Sequence, residues 1–239
     1  GQISCDEASR GAYIEFNGTQ SINTGYLPNG STRFEVDVQF TEMEPVQQRI
    51  YSNAKNDQLT AHLYENGSCN LGFAHNKTEK WGSTGRKMYN ALERMTIVVD
   101  AAQNQMRIRL NGGLTEENYD AKFVENTPDK NHQSTKPIWI GGGYEDNPHA
   151  RMRLYGFRIY ENGVKKHDFI PCKSGDTVGL YETVDGEFYE NDLEDGDAFK
   201  IGGASATLAV APVDAAVDVQ KSATLKAVAA GAVVSSLPS

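Results

Sequence analysis

Arg33-Phe34-Glu35-Val36-Asp37-Val38-Gln39-Phe40 is the stretch that decides how this chain reads. Phe34, Val36, Val38 and Phe40 alternate with Arg33, Glu35, Asp37 and Gln39 without a fault. Successive side chains of a strand point to opposite faces, so the apolar set belongs in a core and the polar set on an open sheet face. The same period recurs in both directions. Upstream, Ala12-Tyr13-Ile14-Glu15-Phe16 runs into Asn17-Gly18, a dipeptide suited to a hairpin turn. Downstream, the pattern predicts strands over Gln48 to Ser52, Leu59 to Tyr64, Asn70 to Ala74, Arg94 to Asp100 and Gln105 to Leu110. Lys136 to Gly141 and Arg153 to Tyr160 follow, the latter ended by Glu161-Asn162-Gly163. Thr78 to Met88 and Leu114 to Thr135 are polar and read as long surface loops, a length usually tied to function. No stretch carries a convincing helical period. The fold class is all-β, a sandwich or barrel of short antiparallel strands.

Composition narrows the function. The chain has 239 residues and a formal net charge of -9. Its Lys and Arg are scattered, whereas a surface that displaces counterions from phosphates needs them clustered, so nucleic acid is not the partner. No apolar run approaches the roughly 18–20 residues of a membrane span, which argues against membrane insertion. After Gly203 the composition shifts: Ala and Val make up about half of residues 204–239, and aromatic residues disappear. Residues 1–203 therefore read as one domain, and 204–239 as a linker or the first part of another β module. Cys5, Cys69 and Cys172 show no C-x-x-C spacing. One disulfide beside a free thiol, or three buried thiols, both fit that set, and Cys172 suits a buried small side chain better than a reactive one.

Two blocks resemble a known family. One is Tyr13-Ile14-Glu15-Phe16-Asn17-Gly18 through Tyr26 and Pro28 into the Arg33 to Phe40 strand. The other is Leu154-Tyr155-Gly156-Phe157-Arg158-Ile159-Tyr160-Glu161-Asn162-Gly163, continuing through Asp168 to Cys172, Gly179 to Glu182 and Gly186 to Asn191. Both are similar to the opening and closing strands of concanavalin A-like, laminin-G-like domains of bacterial and phage surface proteins. The resemblance implies a two-sheet antiparallel jelly roll in an extracellular or cell-surface setting, but no ligand, because such folds host glycan binders, adhesion modules and hydrolases alike. The chain reads as a binding module with a glycan or a surface protein as partner, and a structural or adhesion spacer is the alternative. The 204–239 segment resembles, less specifically, the start of an immunoglobulin-like repeat. Within the closing block, alternation puts Tyr155, Phe157 and Ile159 on one face and Gly156, Arg158 and Tyr160 on the other.

The fold implied by the resemblance includes retaining glucanases, which resemble E-x-D-x-E on one strand. Here Glu35 and Asp37 are followed at the third same-face position by Gln39. An amide has no proton to give a leaving oxygen, so the strand reads as a solvated face and the chain as a non-enzyme rather than a hydrolase. His62, His75, His132, His149 and His167 lack metal-ligand spacing and read as surface or loop residues. Gly141-Gly142-Gly143 lacks the helix and Lys of a phosphate loop. Calcium is the one cofactor the acidic loops suit: Glu145, Asp146 and Asn147 form one candidate set, and Asn191, Asp192, Glu194, Asp195 and Asp197 another. A solvated turn is the competing reading of each. For a glycan, Trp139, Trp81 and Tyr144 are the candidate stacking residues, with burial beneath a sheet as the alternative for the tryptophans.

Overall fold

The computed structural model describes residues 7–8, 11–42, 48–53, 62–65, 70–74, 82–87, 93–103, 105–110, 118–122, 131–142, 150–203 and 208–209. Among these there are strands and no helix. The first are β1 (Glu7–Ala8), β2 (Ala12–Asn17), β3 (Ile22–Asn23), β4 (Thr32–Phe40), β5 (Gln48–Ser52) and β6 (His62–Glu65). Next come β7 (Asn70–Ala74), β8 (Gly82–Lys87), β9 (Met95–Asp100), β10 (Gln105–Leu110), β11 (Asn118–Lys122) and β12 (Trp139–Ile140). The last are β13 (Arg151–Glu161), β14 (Val164–Ser174), β15 (Thr177–Glu182), β16 (Glu187–Tyr189), β17 (Lys200–Gly203) and β18 (Leu208–Ala209).

Two antiparallel sheets form. The smaller runs β3-β12-β5-β6-β7-β8, and the larger contains β11-β10-β9-β4-β13-β14 in that order. β13 organises the larger sheet. One of its edges pairs with β4; the other is divided between β2, from Arg151↔Asn17 to Leu154↔Ile14, and β14, from Phe157↔Phe169 to Glu161↔Val164. β17 pairs with β2, and β14 continues past β13 to pair with β15 and β1.

The period-two pattern is what stacks the sheets. Phe34, Val36, Val38 and Phe40 are buried together with Ile97 and Val99 of β9, Met152, Leu154 and Ile159 of β13, and Phe16 of β2. The smaller sheet supplies Ile22, Ile50, Tyr51, Ile138 and Ile140 to the same core. Each such side chain contributes about 1.5–3 kcal/mol on burial, which makes this layer the main source of stability.

Three details differ from the sequence reading. Tyr155 does not share a face with Phe157 and Ile159: the β13–β4 register shifts between Leu154 and Gly156, a bulge that turns Tyr155 outward and restores the inward phase at Phe157. The stretches read as loops contain β8 and β11, each the last strand of its sheet order. Strands at a sheet edge need not bury a face, so Gly-Ser-Thr-Gly-Arg-Lys and Asn-Tyr-Asp-Ala-Lys carry no apolar alternation to read. Asn17-Gly18 ends β2 without making a hairpin, because β3 lies in the other sheet. Cys172 is buried as expected and is disulfide-bonded, one of the two alternatives that the cysteine set left open. It packs with Ile170, Tyr181 and Phe188 in a small cluster apart from the main core.

Candidate functional site

The open face of the larger sheet is where a catalytic carboxylate pair would sit, and its groups are engaged with one another. Glu35 Oε2 accepts from Arg158 Nε at 2.9 Å, and its Oε1 lies 3.2 Å from Arg33 Nη2. Asp37 accepts both Nε (2.9 Å) and Nη2 of Arg94, a bidentate pair. Gln39 Oε1 accepts from the Tyr155 hydroxyl at 3.0 Å. The tyrosines are covered in turn: Arg33 lies 4.2 Å over Tyr160, Arg94 3.8 Å over Tyr155, and Arg153 4.7 Å over Tyr13. Among the described residues, this face therefore offers neither a free carboxylate pair nor an open aromatic plate.

A cleft of about 490 Å³ opens at one rim of the same sheet, lined by Ser31, Arg33, Asp100, Ala102, Asn162 and Gly163. Three turns build it. Asn162-Gly163 joins β13 to β14 with φ of 50° and 79°, both positive as a two-residue primed turn requires; Asn and Gly tolerate that conformation best. Before β4, Asn29 Oδ1 accepts from Ser31 N at 2.8 Å while Asn29 N donates to Thr32 Oγ1 at 2.8 Å. At the end of β9, Asp100 Oδ1 accepts from Gln103 N at 3.2 Å. Ala101 N donates to Thr32 O at 2.9 Å, locking the second turn to the third.

Beneath the cleft, the Tyr26 hydroxyl lies 2.8 Å from Thr32 Oγ1 and donates to Glu161 Oε2 at 3.1 Å. Burial pushes this phenol well above its ordinary pKa, so it stays protonated and holds β4 to the end of β13 at any ordinary pH. The cleft thus presents a guanidinium, a carboxylate, a side-chain amide and a hydroxyl on a fixed frame. Its volume falls in the roughly 300–1,000 Å³ range of small-ligand sites. Among its described lining residues there is no nucleophile paired with a base. Sequence reading passed over it because Asn162-Gly163 carried only a turn signal, and Ser31, Arg33 and Asp100 meet only when β4 pairs with β9 and β13.

Of the residues singled out from sequence, Trp139 lies on the opposite side of β12 from the buried Ile138 and Ile140, with Asn23 and Ser52 beside it in register. Its Nε1 is shut off from water and has no hydrogen-bond partner. Trp81, Tyr144, Glu145, Asp146 and Asn147 lie outside the described residues. The acidic run after β16 is hydrogen-bonded to the β2–β3 segment. Asn191 Oδ1 accepts from Ser21 N at 2.9 Å, Asp192 Oδ2 from Asn23 N at 2.6 Å, and Asp197 Oδ2 from Asn17 Nδ2 at 2.7 Å. These side chains clasp the β2–β3 segment. His132 is buried rather than a surface group, and His167 sits on β14, largely enclosed.

No family profile matches the chain, and no curated protein matches it in sequence. Solved structures do match. A putative carbohydrate binding protein from Bacteroides ovatus is 10% identical with a TM-score of 0.55, over 88% of this chain and 63% of that one. The mouse laminin alpha1 chain, domains LG4-5, is 12% identical with a TM-score of 0.48, over 66% of this chain and 44% of that one. A heptameric SAP-like pentraxin from Limulus polyphemus is 18% identical with a TM-score of 0.44, over 63% of this chain and 76% of that one. At these identities the likeness concerns fold alone. With its two stacked antiparallel sheets, the chain has a concanavalin A-like jelly-roll sandwich fold.

Proposed function

We propose that this chain is a non-catalytic recognition module of an extracellular or cell-surface protein, and that it binds a glycan. The observation that carries the reading is the rim cleft. Arg33, Asp100, Asn162 and Ser31 set donors and acceptors of both kinds around one volume, the complement a polyhydroxyl ligand needs. Catalysis is disfavoured because Glu35 and Asp37 are held by arginines and Gln39 stands where a hydrolase of this fold would need an acid. The disulfide at Cys172 supports an oxidising compartment, and no described helix is long and apolar enough to cross a membrane. The name of the Bacteroides ovatus structure points the same way.

A surface protein is the second ligand class, favoured by the arginine-capped tyrosines of the larger sheet, since Tyr and Arg are enriched at protein interfaces. A glycan-array screen of the purified chain, with and without calcium, separates the two. Hits lost on Asp100→Ala or Arg33→Ala establish the cleft as the site, and hits lost only on Trp139→Ala move it to the smaller sheet. A blank array on folded protein sinks the glycan reading and leaves the protein surface.

A further inference from the structure

Beside Tyr26, three ligand-type side chains converge that no feature described so far uses. His167 comes from β14, Glu182 ends β15, and Asp185 lies in the turn leading to β16. One ligand atom of each falls within 4.8 Å of the others, and among the described residues this is the group of His, Cys, Asp and Glu for which that holds. Glu182 is buried and its carboxylate is oriented by backbone. Oε1 accepts from Asp168 N (2.8 Å) and Val184 N (3.0 Å), whereas Oε2 accepts from Asp185 N alone (2.7 Å). A carboxylate oxygen has two lone pairs, so Oε2 keeps one in hand.

Facing it at 3.9 Å is His167 Nδ1, too far for a hydrogen bond. That nitrogen is cut off from water and has no partner, an unfavourable state for a polar atom. The ring cannot easily turn to find one. It stacks on Phe169 at 5.7 Å with an interplanar angle of 23°, and Tyr26 abuts it edge-on at 5.6 Å. An orphaned imidazole nitrogen, a lone pair on a buried carboxylate and an exposed aspartate at the mouth thus share one small volume.

We propose that His167, Glu182 and Asp185 bind a divalent transition metal ion of the zinc class. Ion-to-ligand distances of about 2.0–2.2 Å place a tetrahedral pair of ligands roughly 3.4 Å apart, so the 3.9 Å gap closes with a small side-chain movement. Nδ1 gives its lone pair to the ion and the ring proton stays on Nε2. The three backbone N–H donors fix the Glu182 carboxylate as an outer shell does in a metal site. Water fills the remaining position on the exposed Asp185 side. Calcium is the poorer fit: it takes six to eight oxygens, and this site offers two carboxylates and an imidazole.

The test uses the full chain, stripped with chelator and titrated with zinc by calorimetry, with thermal melts alongside. Zinc should bind at one equivalent and raise Tm, because an ion that binds only the folded state stabilises it. Asp185→Ala, at an exposed position, should leave the metal-free Tm unchanged and weaken zinc binding by roughly tenfold or more. His167→Gln should abolish it. Equal zinc binding in wild type and both variants would place the ion elsewhere and overturn the assignment. So would the absence of any heat or Tm change at millimolar zinc, or an equal response to calcium.

Discussion

Phe157 lies with its ring centroid 5.9 Å from Phe34, 5.5 Å from Tyr51 and 6.3 Å from Phe169, so one side chain ties β13 to β4, β5 and β14. Replacing it with Ala removes ring contacts from both sheets and leaves a cavity that rigid strands cannot close. Phe157→Ala should cost about 3–5 kcal/mol, measured as a lower urea midpoint with an unchanged slope. A midpoint equal to wild type would mean the ring is not in the core. The inward phase of Phe157 and Ile159 was legible in the sequence, since alternation alone assigns it. The outward turn of Tyr155 was not. Its bulge is a register shift against β4, and the period of one strand holds no information about the register of its partner.

The run from Asn191 to Asp197 acts on β2 and β3 as an element, and Asp192 shows the balance in it. Loss of water around its carboxyl raises the pKa above the ordinary 3.8, and this outweighs the opposing hydrogen bond from Asn23 N. A carboxyl that holds its proton more tightly in the folded state favours folding below its unfolded pKa. That contribution is lost as pH rises through the raised folded value, so at neutral pH the charge works against the fold. Asp192→Asn removes the charge and keeps an acceptor for Asn23 N. Melts from pH 4 to 7 should therefore show a variant at least as stable as wild type at pH 7, with a flatter pH profile. A variant much less stable at pH 7 would show that the charge itself holds the clasp. At this scale β5 and β7 are readable to the residue, because each carries apolar residues between turn signals. The acidic run reads as a solvated turn or a candidate cation loop from its composition; only the fold brings Ser21 and Asn23 to the side chains of Asn191 and Asp192.

Across the whole molecule, the chain divides into two compact units, Gly1–Leu208 and Ala209–Ser239. The core residues belong to the first. A fragment ending at Leu208 should then melt within a degree or two of the full chain and give the same glycan-array result. A large drop in Tm would show that the Ala/Val-rich segment supports the jelly roll. The sequence reading places a boundary near Gly203 because aromatic residues, which fill the core up to Phe199, stop there. Nothing local in the sequence shows that β2 and β17 are neighbours.

That pairing has a mechanical consequence. Ala12 opposes Gly203 and Glu15 opposes Lys200, so β2 starts and β17 finishes at the same end of one ladder. Tension applied between Ala12 and Gly203 pulls the two strands apart from that end, loading their hydrogen bonds one after another. Bonds loaded in series break at lower force than bonds sheared together. Under pull the module should therefore peel open from β2 and β17 and lengthen at modest tension, acting as an extensible link rather than a rigid one.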